Sequence, residues 1–214
     1  GAPLAFMSAN LLSAARTGAV PACAARHLAR KNSETAAIIG CGPINKSCFR
    51  NIMTQMPGVK KVWCFDLFLE KAQACADWAA ETFGIEGKAT DDLQEALRDA
   101  DFVTVAASRL KPLYIDNAWL KKGTTVLLTG PATGDEAFWL NNKIVLDHVG
   151  LHENYVAEAI ASGDKEGYYK GVIGGPIYHL IDEGKLPALK DFTSLGQIIN
   201  GDKDGRTSDD DTYI

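Results

Sequence analysis

The residues best suited to chemistry are a short glycine-rich turn and one acid that follows it. Gly40-Cys41-Gly42-Pro43-Ile44-Asn45 supplies the first two glycines of G-x-G-x-x-G, with Asn45 in the third place. In that pattern the first glycine permits a tight turn. The second lets the backbone approach a pyrophosphate resting on a helix N-terminus, and the third serves helix–strand packing. A small polar residue is tolerable in the third place. Asp66 follows at about the spacing of an acidic ribose ligand. A carboxylate there accepts hydrogen bonds from a ribose 2′-hydroxyl and repels a 2′-phosphate, and Leu67 and Phe68 bring no arginine to bind one. The implied ligand is NAD(H) rather than NADP(H). Asp66 also has a simpler role open to it, capping the helix after its strand.

Other polar residues promise less. His148 and His152 have the i, i+4 spacing of metal ligands on a helix. Gly150 stands between them and no third ligand is apparent, so a polar loop is expected and no metal. Asp147 ends a strand, where α/β sites gather, but helix capping explains it equally. His27 reads as packing or surface, His179 as a satisfied core histidine, and Trp63, Trp78, Trp119 and Trp139 as core. The five cysteines, Cys23, Cys41, Cys48, Cys64 and Cys75, are odd in number and form no C-x-x-C pair. Neither a disulfide framework nor a zinc site is expected. Small buried hydrophobes in a reducing, cytoplasmic setting are.

The elements that must position the loop follow from apolar patterning. Short apolar runs at 35–39, 62–65, 102–107, 124–129 and 143–146 read as strands, with 88–90 a weak one. Amphipathic stretches at 44–56, 70–83 and 93–98 read as helices, the last capped by Asp91 or Asp92. Strands alternating with helices predict an α/β, Rossmann-type, doubly wound, mostly parallel sheet with helices on both faces. Upstream, residues 3–7 read as a strand, and 9–16 and 19–30 as two helices broken near Gly18 and Pro21. Downstream, 152–161, 177–183 and 194–200 read as helices, and 171–176 as a loop. Residues 1–34 are a leading helical segment, 35–150 the dinucleotide-binding core, and 151–214 helices and loops packed on it.

Composition agrees with a globular chain. Of 214 residues, 22 are Lys or Arg and 27 Asp or Glu, a net charge of −5 that offers no broad attraction for nucleic acid or anionic membrane. No apolar stretch approaches the length of a membrane span.

Arg16-Thr17-Gly18-Ala19, then Ala24-Ala25-Arg26-His27-Leu28-Ala29-Arg30 and Ile39-Gly40-Cys41-Gly42, resemble the ornithine cyclodeaminase/mu-crystallin family. Residues 1–7 and 201–209 fit as well, so the resemblance spans nearly the whole chain. It implies the cofactor domain of a larger, homodimeric oxidoreductase whose substrate and dimerisation domain lies outside this stretch. It also implies that the chain alone is inactive. The implied reaction is hydride transfer between NAD(H) and the amino-bearing carbon of an amino acid, or its imine. By resemblance Arg16 holds the substrate carboxylate, and Thr17 and Gly18 open a helix whose N–H groups face phosphate. Pro43 and Ile44 touch the pyrophosphate. Ala107 and Ser108 lie against the nicotinamide ribose, and Thr129 and Gly130 beside the nicotinamide. Cyclodeaminases carry a catalytic acid just after that turn. Here the segment is Gly130-Pro131-Ala132-Thr133-Gly134-Asp135; the matching position is apolar, and Asp135 is the nearest acid. This departure disfavours ornithine cyclisation more than nicotinamide chemistry. It leaves a second reading, a non-catalytic nucleotide or small-molecule binding protein of the crystallin type.

Overall fold

The computed structural model describes residues 1–107 and 112–214. In chain order the strands are β1 (Thr35–Ile39), β2 (Lys61–Phe65), β3 (Glu86–Thr90), β4 (Phe102–Val105), β5 (Leu113–Ile115), β6 (Thr125–Leu128), β7 (Ala132–Gly134), β8 (Val145–Leu146) and β9 (Thr193–Ser194). The helices are α1 (Asn10–Leu28), α2 (Pro43–Met53), α3 (Leu69–Phe83), α4 (Leu93–Arg98), α5 (Glu136–Leu140), α6 (Val149–Ser162), α7 (Lys165–Gly171), α8 (Gly175–Asp182) and α9 (Leu195–Asn200).

Five strands make one all-parallel sheet in the order β3-β2-β1-β4-β6. Alternate side chains serve opposite faces. Ala36, Ile38, Val62, Cys64 and Phe102 pack under α1, α2 and α3. Ala37, Ile39, Val103 and Val105 pack against α4 and the helices from α5 to α8. Both faces are therefore dry, which is why the strands are continuous apolar runs. The register aligns Phe65, Ile39, Val105 and Leu128 in one row across β2, β1, β4 and β6. The residues that follow them, Asp66, Gly40, Ala106 and Thr129, thus emerge side by side at the carboxyl edge of the sheet.

Several expectations are corrected. Residues 3–7 form no strand; Leu4 and Phe6 are fully exposed, and no described strand pairs with them. The two upstream helices are one, α1, which runs through Gly18 and Pro21. Packing overrides the breaker: Gly18, Pro21, Ala22 and Ala25 are buried, and their contacts offset the hydrogen bond that Pro21 cannot donate. Residues 143–146 do not extend the main sheet; β8 pairs with β9, and Tyr213 bridges Lys143 to Thr125. The 171–176 loop shrinks to residues 172–174 between α7 and α8. Gly150 is accommodated in the first turn of α6, whose start His148 caps by accepting from the Leu151 N–H through Nδ1 at 3.2 Å.

Candidate functional site

The glycine turn is built as its spacing predicts. Gly40 has φ +88°, and a β-carbon there would lie 2.7 Å from the Ala106 carbonyl oxygen. Only glycine satisfies both conditions. Gly42 is the N-cap of α2, with Pro43 in the first helical turn. A β-carbon at Gly42 would meet no protein atom within 4 Å. The space above it is open to a ligand, beside a helix N-terminus whose N–H groups favour anions.

Asn45 is more than a tolerated stand-in for glycine. It is fully buried, and its Nδ2 donates to the carbonyls of Ile39 and Gly40 at 2.9 Å and of Thr104 at 3.1 Å. Its Oδ1 accepts from the Thr104 hydroxyl at 2.7 Å. The side chain ties the end of β1, the loop and β4 together where the strand order reverses, the usual ligand position in open α/β sheets. Its polarity at a packing position was the available signal.

Asp66 stands half-buried across from the turn. Its Oδ2 accepts from the Cys41 N–H at 2.9 Å and its Oδ1 from the Phe68 N–H at 3.3 Å. The carboxylate makes a local turn before α3, whose N-cap is Phe68, and also braces the glycine loop. Each oxygen keeps a lone pair for a further donor.

A cleft at the carboxyl edge is lined by Ile44, Ala106, Ala107, Pro112, Thr129, Gly130, Pro131 and three residues of α7, Gly167, Lys170 and Gly171. The Thr129 hydroxyl is turned inward, donating to the Val105 carbonyl at 2.9 Å. Sequence reading missed α7 and with it Lys170, the one charged residue on the cleft wall among the described residues. Ser108 lies outside the described residues.

A second cavity, of about 220 Å³, lies on the other side of Thr129. Arg16, Thr17, Asp147, His152 and Tyr155 supply its polar lining, and α1, β6 and β8 its apolar walls. Arg16 is exposed in the middle of α1 rather than at a helix end, and Thr17 and Gly18 open no helix. Their N–H groups lie within α1, so a phosphate-facing helix start at Thr17 is ruled out. His152 is buried in α6, with Nδ1 2.7 Å from the Tyr178 hydroxyl and Nε2 3.3 Å from Asp147 Oδ1. The His152 hydrogen bond holds the Asp147 carboxyl below its ordinary value. Asp147 therefore anchors a buried imidazole instead of capping α6. Asp135 lines neither cavity; its Oδ1 accepts from the Asn117 N–H at 2.9 Å.

Comparison with known proteins places this geometry. The N-((2S)-2-amino-2-carboxyethyl)-L-glutamate dehydrogenase of Staphylococcus aureus is 29% identical over 214 residues, 99% of this chain and 58% of that protein. The Delta(1)-pyrroline-2-carboxylate reductase of Thermococcus litoralis, solved with NADH and L-proline, superposes with a TM-score of 0.78 at 26% identity. An archaeal alanine dehydrogenase dimer with bound NAD superposes with a TM-score of 0.76 at 27% identity. Each alignment to these two structures covers 100% of this chain and 61% of the other. The chain therefore spans about three fifths of the length of these relatives. The sequence profile of the ornithine cyclodeaminase/mu-crystallin family matches residues 1–214, and the chain belongs to that family.

Proposed function

We propose that this chain is the NAD(H)-binding part of an oxidoreductase that interconverts an amino acid and its imine. One observation carries the reading: Thr129 is a common wall of the glycine-turn cleft and of the cavity that holds Arg16. A nicotinamide held at Thr129 and Gly130 would face a carboxylate held by Arg16. The dehydrogenase and reductase relatives, two of them solved with NAD or NADH, support the same assignment.

In this reading the bound dinucleotide supplies or accepts the hydride. The protein groups bind and orient. The open backbone at Gly42 and the first turn of α2, at Pro43 and Ile44, receive the pyrophosphate. Asp66 accepts from the adenine ribose, and Ala107 flanks the nicotinamide ribose. Arg16 grips the substrate carboxylate through its bidentate fork, with Thr17 beside it. Lys170 adds positive charge at the cleft mouth. Asp135, held by Asn117, has no place in the hydride step. Residues 35–150 form the nucleotide unit and 151–214 pack on it, since Ala159, Tyr169, Ile177 and Phe192 share a core with Val103 and Val105. Residues 1–34 lead in from a substrate domain, and the whole protein is a cytoplasmic homodimer. The exposed apolar arm of Leu4, Phe6, Met7, Leu11 and Leu12 and the five free thiols support those last two assignments.

Calorimetric titration with NADH tests the nucleotide reading: stoichiometric binding is expected, and none would overturn it. The displaced acid supports a second reading, nucleotide binding without turnover. It predicts that the whole protein binds NADH yet reduces no 2-imino acid.

A further inference from the structure

The fold gathers three thiols that the sequence scatters. Cys41 lies between the two loop glycines, Cys64 near the end of β2, and Cys75 on the inner face of α3. Their sulfur atoms all lie within 4.8 Å of one another. Cys64 and Cys75 have no exposed surface, and none of the three is in a disulfide. Three sulfurs converging from a loop, a strand and a helix supply three soft donors at one point. Zinc–thiolate bonds of about 2.3 Å set sulfurs about 4 Å apart, so small side-chain rotations close this triangle around an ion.

We propose that Cys41, Cys64 and Cys75 form a binding site for one thiophilic divalent cation of the zinc class. Sequence spacing gave no expectation of such a site, because no two of these cysteines form a C-x-x-C pair. Binding replaces three S–H protons by three S–metal bonds and releases the protons to solvent. The Lys46 ammonium, close enough to act electrostatically on Cys75, offsets the negative charge that three thiolates leave on a divalent ion. A tetrahedral ion would take its fourth ligand from water entering beside Cys41, the one member of the three with exposed surface. The bound ion cross-links the glycine loop to β2 and α3.

The test uses the reduced, chelator-stripped 214-residue chain in a Cys23→Ser background, which removes the exposed thiol. Cadmium(II) is titrated while its sulfur-to-metal charge-transfer absorption is followed, and zinc(II) is then titrated in competition with a chromophoric chelator. One ion per chain is expected, with the band amplitude of three thiolates. Cys64→Ala and Cys75→Ala each reduce the amplitude by about one third and the affinity on the order of 100-fold, as loss of a metal ligand should. Cys48→Ala changes neither. Absence of the band in the folded Cys23→Ser protein overturns the proposal without any core variant. A band that survives intact in Cys64→Ala and Cys75→Ala overturns it too.

Discussion

Gly18 and Ser47 bring α1 and α2 closer than any side chain at position 18 allows. A β-carbon on Gly18 would lie 2.7 Å from the Ser47 carbonyl carbon and 2.8 Å from its oxygen. The contact explains the glycine in Arg16-Thr17-Gly18-Ala19. It seats the helix bearing Arg16 directly on the helix that opens at the glycine turn. Gly18→Ala should therefore destabilise the chain by about 1–3 kcal/mol through overpacking, although alanine is the better helix former. Urea denaturation measures this, and an unchanged or raised midpoint would show that α1 slides freely on α2.

Asn45 yields an outcome opposite to the one its motif suggests. Restoring the usual glycine, Asn45→Gly, removes a buried side chain that serves three carbonyls and one hydroxyl. Buried groups left unpaired cost about 1–3 kcal/mol each, reduced where water enters. A net loss of about 2–4 kcal/mol is expected, read as a lower denaturation midpoint. Equal stability would mean that the carbonyls find other donors and that Asn45 only fills space.

The core of the fold was legible because its strands are buried on both faces and so carry uninterrupted apolar runs. β1, β2, β4 and β6 emerged where the runs lay, and Gly40, Gly42 and Asp66 fell at the strand ends that the spacing implied. What failed depended on partners distant in sequence. Pro21 reads as a breaker until α2 is seen to hold α1 straight. β8 reads as a sheet strand until Thr193 and Ser194 are found beside it. The cavity around Arg16 needs α1, β6, β8 and α6 at once, and no local pattern encodes that meeting. The cysteine triangle is legible only in three dimensions.

On the proposed reading, Asp66 sets the cofactor choice. With its carboxylate already fixed by the Cys41 and Phe68 N–H groups, it is presented to a ribose without further ordering. Asp66→Ala should weaken NADH binding by about 1–3 kcal/mol and relax the discrimination against NADPH. Calorimetry with both nucleotides on both proteins gives the answer. Tighter NADPH than NADH binding by the unchanged chain would remove Asp66 from the ribose site.

Arg16 is exposed on a helix that does not need its charge, so Arg16→Ala should alter stability by no more than about 0.5 kcal/mol. The whole protein should instead lose affinity for carboxylate substrates, with Arg16→Lys recovering only part of it because an ammonium lacks the bidentate fork. Thermal stability and substrate affinity are measured on the same variants. A large fall in stability at constant affinity would make Arg16 a structural residue.

Asp101 carries the clearest pH dependence. It is buried at the head of β4, where its carboxylate meets Arg30 and lies 2.6 Å from the Lys121 ammonium. It also accepts from the N–H groups of Glu34 and Thr35 at 2.8 and 2.9 Å. Burial alone would raise its pKa; the Lys121 hydrogen bond, then the Thr35 and Glu34 N–H groups, outweigh it and leave the value below the ordinary 3.8. A carboxyl depressed in the folded state gives stability that is complete above its unfolded pKa and is lost as pH falls through the folded one. Asp101→Asn leaves the Arg30 guanidinium, itself mostly buried, without its countercharge. About 3 kcal/mol should be lost at neutral pH, in the range for breaking a buried pair. The gap between wild type and Asp101→Asn should hold constant from neutral pH down to about pH 5 and narrow below 3.8. Denaturant midpoints for both proteins across that range test the sign directly. A gap that widens with acid would mean that Asp101 is held by its shape in the turn and not by its charge.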